Sequence, residues 1–149
     1  MPFFFKENKK AYIFAWLGAI CIFLSTIFYA MVGLTPGDLY FNAHVFAVFT
    51  AFRLTLPGVL FLMLAFYFSK ASNIYTIGAF LLLASVVAYI IFMGDMPQID
   101  PINDRENFVR FVSMDVLMLN VILQKLIVIA MLVSMFMFTF GFQKLKQLS

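Results

Sequence analysis

The sequence predicts an all-α integral membrane protein, a four-helix bundle with both termini in the cytoplasm. Three observations carry this. Of the 149 residues, 64% are hydrophobic and only 11% charged, against about 25% charged in soluble domains. The apolar runs are continuous over the ~20 residues that span a hydrocarbon core, without the in/out alternation of barrel strands. Lysines and acids also fall on opposite sides of those runs. In a bilayer only helices and closed barrels satisfy every backbone polar group, so uninterrupted apolar runs mean helices.

The first span covers residues 11–34 and is too long for the ~7–15-residue core of a signal peptide. The second covers 43–69, the third 73–93 and the fourth 118–142, and together they form a single transmembrane domain over residues 1–149. Orientation follows from charge. Lys6, Lys9, Lys10, Lys70, Lys144 and Lys146 lie on one side, which the positive-inside rule makes cytoplasmic. Six of the seven acids, Asp38, Asp95, Asp100, Asp104, Glu106 and Asp115, lie on the other, in outer loops 35–42 and 94–117; among the loop basic residues only Arg105 and Arg110 oppose the trend. The expected address is a prokaryotic inner (plasma) membrane.

Residues 70–72 are too few for anything but an antiparallel hairpin. In the first outer loop Pro36-Gly37 marks a turn, with Asp38 or Asn42 as a cap for the next helix. In the second, Asp100-Pro101 marks a turn and residues 106–115 suit a short surface helix. Ala11, Ala15, Gly18, Ile22, Ser25, Tyr29 and Gly33 recur at helical spacing in the first span. Such small faces let membrane helices approach closely. Gly78 and Ser85, with Ala84 and Ala88, suggest the same in the third.

The second span carries Arg53 and Pro57. Counting ~20 residues outward from Ser69 places Arg53 about one turn below the outer boundary. The same count from Gln143 places Lys125 at a similar depth, with Asn120 one turn further out. Asp95 leaves the outer end of the third span, and His44 and Asp115 flank it. Arg53 and Lys125 either snorkel to the headgroups or face the interior and pair with Asp95, Asp115 or a bound anion, since an unpaired charge in hydrocarbon costs ~2.5 kcal/mol or more. Pro57 lacks the amide that would bond the carbonyl of Arg53, so it predicts a kink and a free carbonyl. Ser113, Asn120 and Gln124 fall within about 40° on a helix at ~100° per residue. These features point to an outer-leaflet polar pocket: Arg53 and Lys125 on an anionic headgroup, Asn120 and Gln124 as hydrogen-bonding groups. His44 is a hydrogen-bonded structural residue or the anchor of the first loop.

Much chemistry is disfavoured. One histidine cannot supply bis-histidine haem ligation, and one cysteine, Cys21, cannot form an internal disulfide. No zinc-ligand pattern, nucleophile–base pair or phosphate loop is visible, and no basic patch with interleaved aromatics suggests nucleic acid. The expectation is a non-enzymatic membrane protein without cofactor or metal, whose partners are membrane lipids. An oligomeric transport subunit and an accessory subunit of a larger membrane complex are the alternatives.

The stretch VGLTPGDLYFNAHVFAVFTAF, residues 32–52, resembles the first outer loop and second helix of the Frag/DRAM/Sfk-like membrane proteins and their prokaryotic relatives. In them a glycine-and-proline turn with an acid precedes a histidine that opens the second helix, here Gly33, Pro36, Asp38 and His44. Residues 123–141 are similar to the last helix of some relatives. Those proteins typically have five or six spans where four are counted here. The resemblance implies a non-enzymatic role, with lipid handling and membrane organisation associated with parts of the group.

Overall fold

The structure, a computed structural model, describes residues 2–71 and 73–148. A 3-10 turn, Pro2–Phe5, precedes five α-helices: α1 (Lys9–Leu34), α2 (Phe41–Tyr67), α3 (Asn73–Asp95), α4 (Arg105–Phe111) and α5 (Met114–Leu148). The helices α1, α2, α3 and α5 are each long and apolar enough to cross a membrane. The chain is an integral membrane protein built as a four-helix bundle, and no strand occurs among the described residues.

Sequential neighbours pack together: α1 on α2, α2 on α3, and α3 on α5. The tightest approach is between α1 and α2. A Cβ added to Gly18 would lie 3.0 Å from the carbonyl oxygen of Gly58 and 3.2 Å from the amide nitrogen of Leu62. One added to Gly58 would lie 2.8 Å from Ile22 Cγ1. Hydrocarbon tails offer no hydrophobic drive for helices to associate, so this backbone proximity and its dispersion contacts hold the pair. The small face expected in α1 is used at Ala11, Ala15, Gly18 and Ser25, all buried, whereas Gly33 is exposed. In α3 the packing face is Gly78, Ala79, Leu82, Val86 and Tyr89. Ala84 and Ala88 are exposed there, so the small-residue grouping expected around them does not form the contact.

Helix α5 departs most from its predicted bounds. Its 35 residues extend for about 50 Å at 1.5 Å per residue, well beyond a ~30 Å core. The segment QKLKQL continues the helix past the apolar run because these residues favour helix and because Leu145 is buried in the cluster of Phe5, Phe66 and Phe138. The Pro2–Phe5 turn seats there: the ring of Phe4 stacks on Phe142 with centroids 5.5 Å apart, and Phe5 meets Phe66 edge-on at 5.3 Å. The two termini therefore share one end of the bundle. Asn8 ties that end together. Its Oδ1 caps α1 by accepting from the amides of Lys10 and Ala11, and its Nδ2 donates to the carbonyl of Phe68 at 2.7 Å. Lys70 and Glu7 pair at 2.6 Å, but both are well exposed, so the bridge contributes at most about 1 kcal/mol.

The loops at the opposite end correct three expectations. Helix α2 is entered from Tyr40, with no side-chain cap, so neither Asp38 nor Asn42 serves as one. The surface helix stops at Phe111, short of Asp115. Ser113 stands outside α5 and accepts from the amide of Val116 through Oγ at 3.3 Å; acting as a cap, it leaves the polar stripe expected with Asn120 and Gln124. The turn at Asp100 forms as expected. Its carboxylate accepts from the Asn103 amide at 3.0 Å, from the Asn103 side chain at 2.7 Å and from the Ile102 amide at 2.9 Å.

Replacing Gly58 by Ala should destabilise the protein by about 1–3 kcal/mol, since Ile22 must move and its backbone nitrogen sits just behind. Gly78→Ala should be neutral or mildly stabilising, because the nearest atoms are the flexible end of Met137 and alanine favours helix by ~1 kcal/mol. Thermal unfolding of both variants in one detergent checks this ranking. The bonds from Asn103 and then Ile102 hold the Asp100 carboxyl below its ordinary value. The turn is thus supported at any pH above the ordinary carboxylate range and loses that support as pH falls through the depressed value. An amide chemical-shift titration of Asn103 should show its midpoint below that of an unstructured aspartate peptide.

Candidate functional site

Because α1 is held on α2 and α5 on α3, the four spans form an open arc whose two end helices do not pack on each other. Between α1 and α5 lies a groove. One part, about 420 Å³, is bordered by Ser25, Thr26, Leu62, Met135, Phe138 and Thr139. A second, about 390 Å³, holds His44, Tyr89 and Gln124. Both include Tyr29 and Met131, where they meet. Thr26, Met135 and Thr139 are exposed, so the groove opens sideways toward lipid. At the terminal end it is bounded by Phe142, against which Phe4 and Phe5 are packed.

Polarity is graded along this groove. Near mid-span the polar groups are hydroxyls: Thr26 and Thr139, bonded to their own helices, and a cluster of three. Ser25 Oγ lies 2.8 Å from the Ala51 carbonyl and 2.7 Å from Thr55 Oγ1, which is itself 2.9 Å from that carbonyl and 3.3 Å from the Tyr29 hydroxyl. Each hydroxyl is satisfied inside the protein, as a site without water requires. Toward the end of the bundle away from the termini the Tyr89 hydroxyl accepts from Gln124 Nε2 at 3.0 Å and donates to Asn120 Oδ1 at 3.3 Å. The Tyr89 ring is buried against Phe52, with centroids 4.6 Å apart. The His44 imidazole donates from Nδ1 to the carbonyl of Thr35 at 2.7 Å. That bond fastens the loop after α1 to the first turn of α2, and the ring stands between Gly37 of that loop and the groove it borders.

The residues singled out in the sequence divide into two groups. His44, Asn120 and Gln124 come together around Tyr89 and the groove's polar end. Arg53, Lys125, Asp95 and Asp115 do not join them; all four are exposed. The reason is angular. Arg53 sits two residues before buried Thr55, and Lys125 two before buried Ile127, and two residues turn a helix by about 200°. The Arg53 guanidinium lies over the ring of Phe49, 5.4 Å from its centroid, and Lys125 stands among apolar side chains on the outer surface of α5. The ion pair Lys70–Glu7 lies at the other end, and neither aspartate reaches Arg53 or Lys125. Pro57 is accommodated inside α2, next to Gly58 and the contact with α1.

Tyr29, Ser25, Thr55 and Tyr89 escaped sequence reasoning as site residues. Ser25 and Tyr29 lie on the small face of α1 and read as packing. Only their hydroxyls within a span signalled a second role. Among the described residues, no three His, Cys, Asp or Glu side chains converge as metal ligands. No family model matches this chain, and no curated protein or solved structure is significantly similar to it.

Tyr89→Phe should keep the ring packing but strip the partner from Gln124 and Asn120, a loss of about 1 kcal/mol. The measurement is thermal unfolding in detergent, with Phe52→Leu as a packing control expected to cost more.

Proposed function

We propose that this chain is a non-enzymatic lipid-binding protein of a prokaryotic inner membrane, and that the groove between α1 and α5 receives the lipid. One observation carries the reading: a cavity of ligand-binding size, about 420 Å³, open laterally and lined mostly by apolar side chains, whose mid-span hydroxyls bond within the protein while the amide of Gln124 and the imidazole of His44 stand toward one end. That gradient matches the build of a bilayer amphiphile. The lysines at the terminal end put that end in the cytoplasm by the positive-inside rule, so the polar end of the groove belongs to the outer leaflet. The resemblance of residues 32–52 to the Frag/DRAM/Sfk-like proteins points the same way. Arg53 and Lys125 act outside the groove, as contacts to surrounding anionic headgroups, with their apolar stems in lipid.

The outward position of Arg53 supports a second reading, an accessory subunit in which Arg53 pairs with an acid on another chain. A charged side chain facing lipid one turn inside the boundary is costly unless it snorkels or finds a partner.

Native mass spectrometry of protein released from mild detergent tests both. The wild type should retain a defined lipid, Met131→Trp should lose it by filling the junction of the groove, and Arg53→Ala should keep it. A wild type carrying only a nonspecific lipid distribution overturns the groove reading. Loss of a co-purifying subunit in Arg53→Ala, with lipid unchanged, establishes the accessory role.

A further inference from the structure

We propose that the lipid held in the groove is uncharged and ends in a hydroxyl group, which it donates to acceptors at the polar end, Nε2 of His44 and Oε1 of Gln124. This deepens the lipid-binding reading and rests on it.

The groove's charge comes first. None of the residues lining either part is Lys, Arg, Asp or Glu. A phosphate or carboxylate drawn into it would be a desolvated charge without a partner, which an apolar site rejects strongly. The two cations at the right depth, Arg53 and Lys125, face away for the angular reason given above. An anionic headgroup can reach them only on the outside of the bundle.

The proton inventory then selects the head. The Thr35 carbonyl can only accept, so the proton of an uncharged His44 ring must be on Nδ1. Nε2 is then an acceptor. The Tyr89 hydroxyl spends its one proton on Asn120 Oδ1 and takes a hydrogen bond from Gln124 Nε2. Gln124 Oε1 makes no hydrogen bond among the described residues. Ser25 and Thr55 are engaged with each other and with the Ala51 carbonyl, and the Tyr29 hydroxyl accepts from Thr55 while keeping its own proton. What remains toward the polar end is acceptor capacity at His44 Nε2 and Gln124 Oε1, with the Tyr29 proton at the junction of the two parts. A ketone or ether, which only accepts, can use that proton alone, whereas a hydroxyl also donates its own to one of these acceptors. The chain length also fits: along α1 the lining runs from Ile22 to Val32, about 15 Å, half of a ~30 Å hydrocarbon core. A long-chain alcohol, an isoprenoid alcohol and a diacylglycerol share this chemistry.

Competition binding on the full-length protein in neutral detergent tests it, with hexadecanol, its methyl ether, palmitate, farnesol and dioleoylglycerol as probes. The alcohol should bind on the order of tenfold more tightly than the ether, the yield of a well-made hydrogen bond. In Gln124→Leu and His44→Phe the difference should shrink to about twofold or less. Gln124→Leu keeps the test intact if His44→Phe unfolds the first loop. Comparing farnesol with dioleoylglycerol separates an isoprenoid from a glyceride source. Equal binding of alcohol and ether in the wild type overturns hydroxyl recognition while sparing the groove. Preference for palmitate overturns the uncharged head. Failure of every probe, together with unchanged behaviour of Met131→Trp, overturns the groove itself.

Discussion

The contact of α1 with α2 at Gly18 and Gly58 determines how the rest of the bundle closes. A carbonyl oxygen 3.0 Å from a would-be Cβ leaves room for glycine alone without a shift. At that distance the two helices are locked in register, and the small face of α1 is consumed. What α1 has left to offer α5 is a border of larger side chains, Ile22, Thr26 and Tyr29. Helix α5 is meanwhile committed to α3, where Ser134 donates to the Gly78 carbonyl at 3.0 Å and is itself buried. Two firm pairings at the flanks leave the seam between them open. The groove is thus a by-product of good packing elsewhere and needs no special wall of its own.

Polar groups within the spans follow the same economy. Two mid-span hydroxyls draw on a neighbouring helix: Ser25 on the Ala51 carbonyl and on Thr55, and Ser134 on the Gly78 carbonyl. Others bond back to their own helix, as Thr26 does with Ile22, Thr139 with Met135 and Thr55 with Ala51, and the buried Thr76 hydroxyl has no partner among the described residues. Charges have no such recourse. Arg53 and Lys125 turn outward, and the interior of the bundle stays uncharged.

The spans and the small face of α1 were legible in the sequence because composition and 3.6-residue periodicity speak directly to burial in lipid. Depth was legible too: counting residues put His44, Asn120 and Gln124 near one level, where His44 and Gln124 border the same part of the groove and Tyr89 links Gln124 to Asn120. Direction was not. Without knowing which face α2 turns to α1, Arg53 could be aimed inward or outward with equal economy, and the answer lies in the burial of Thr55 two residues on. The extra turns of α5 were hidden for a related reason. Gln143 and Lys144 mark the end of an apolar run, but the helix continues because Leu145 has an aromatic surface to cover, formed by residues far away in sequence.

That aromatic surface has a bearing on assembly order. Phe4 and Phe5 touch Phe142, so this contact joins segments separated by nearly the whole described chain. Loop-closure entropy makes it expensive until the intervening hairpins have brought the two ends to the same side. The Phe142 contacts of the Pro2–Phe5 turn can therefore close only on a completed bundle. The turn works as a clasp: Phe5 rests on Phe66 of α2, and its contacts with Phe142 then join α5 to that flank of the seam.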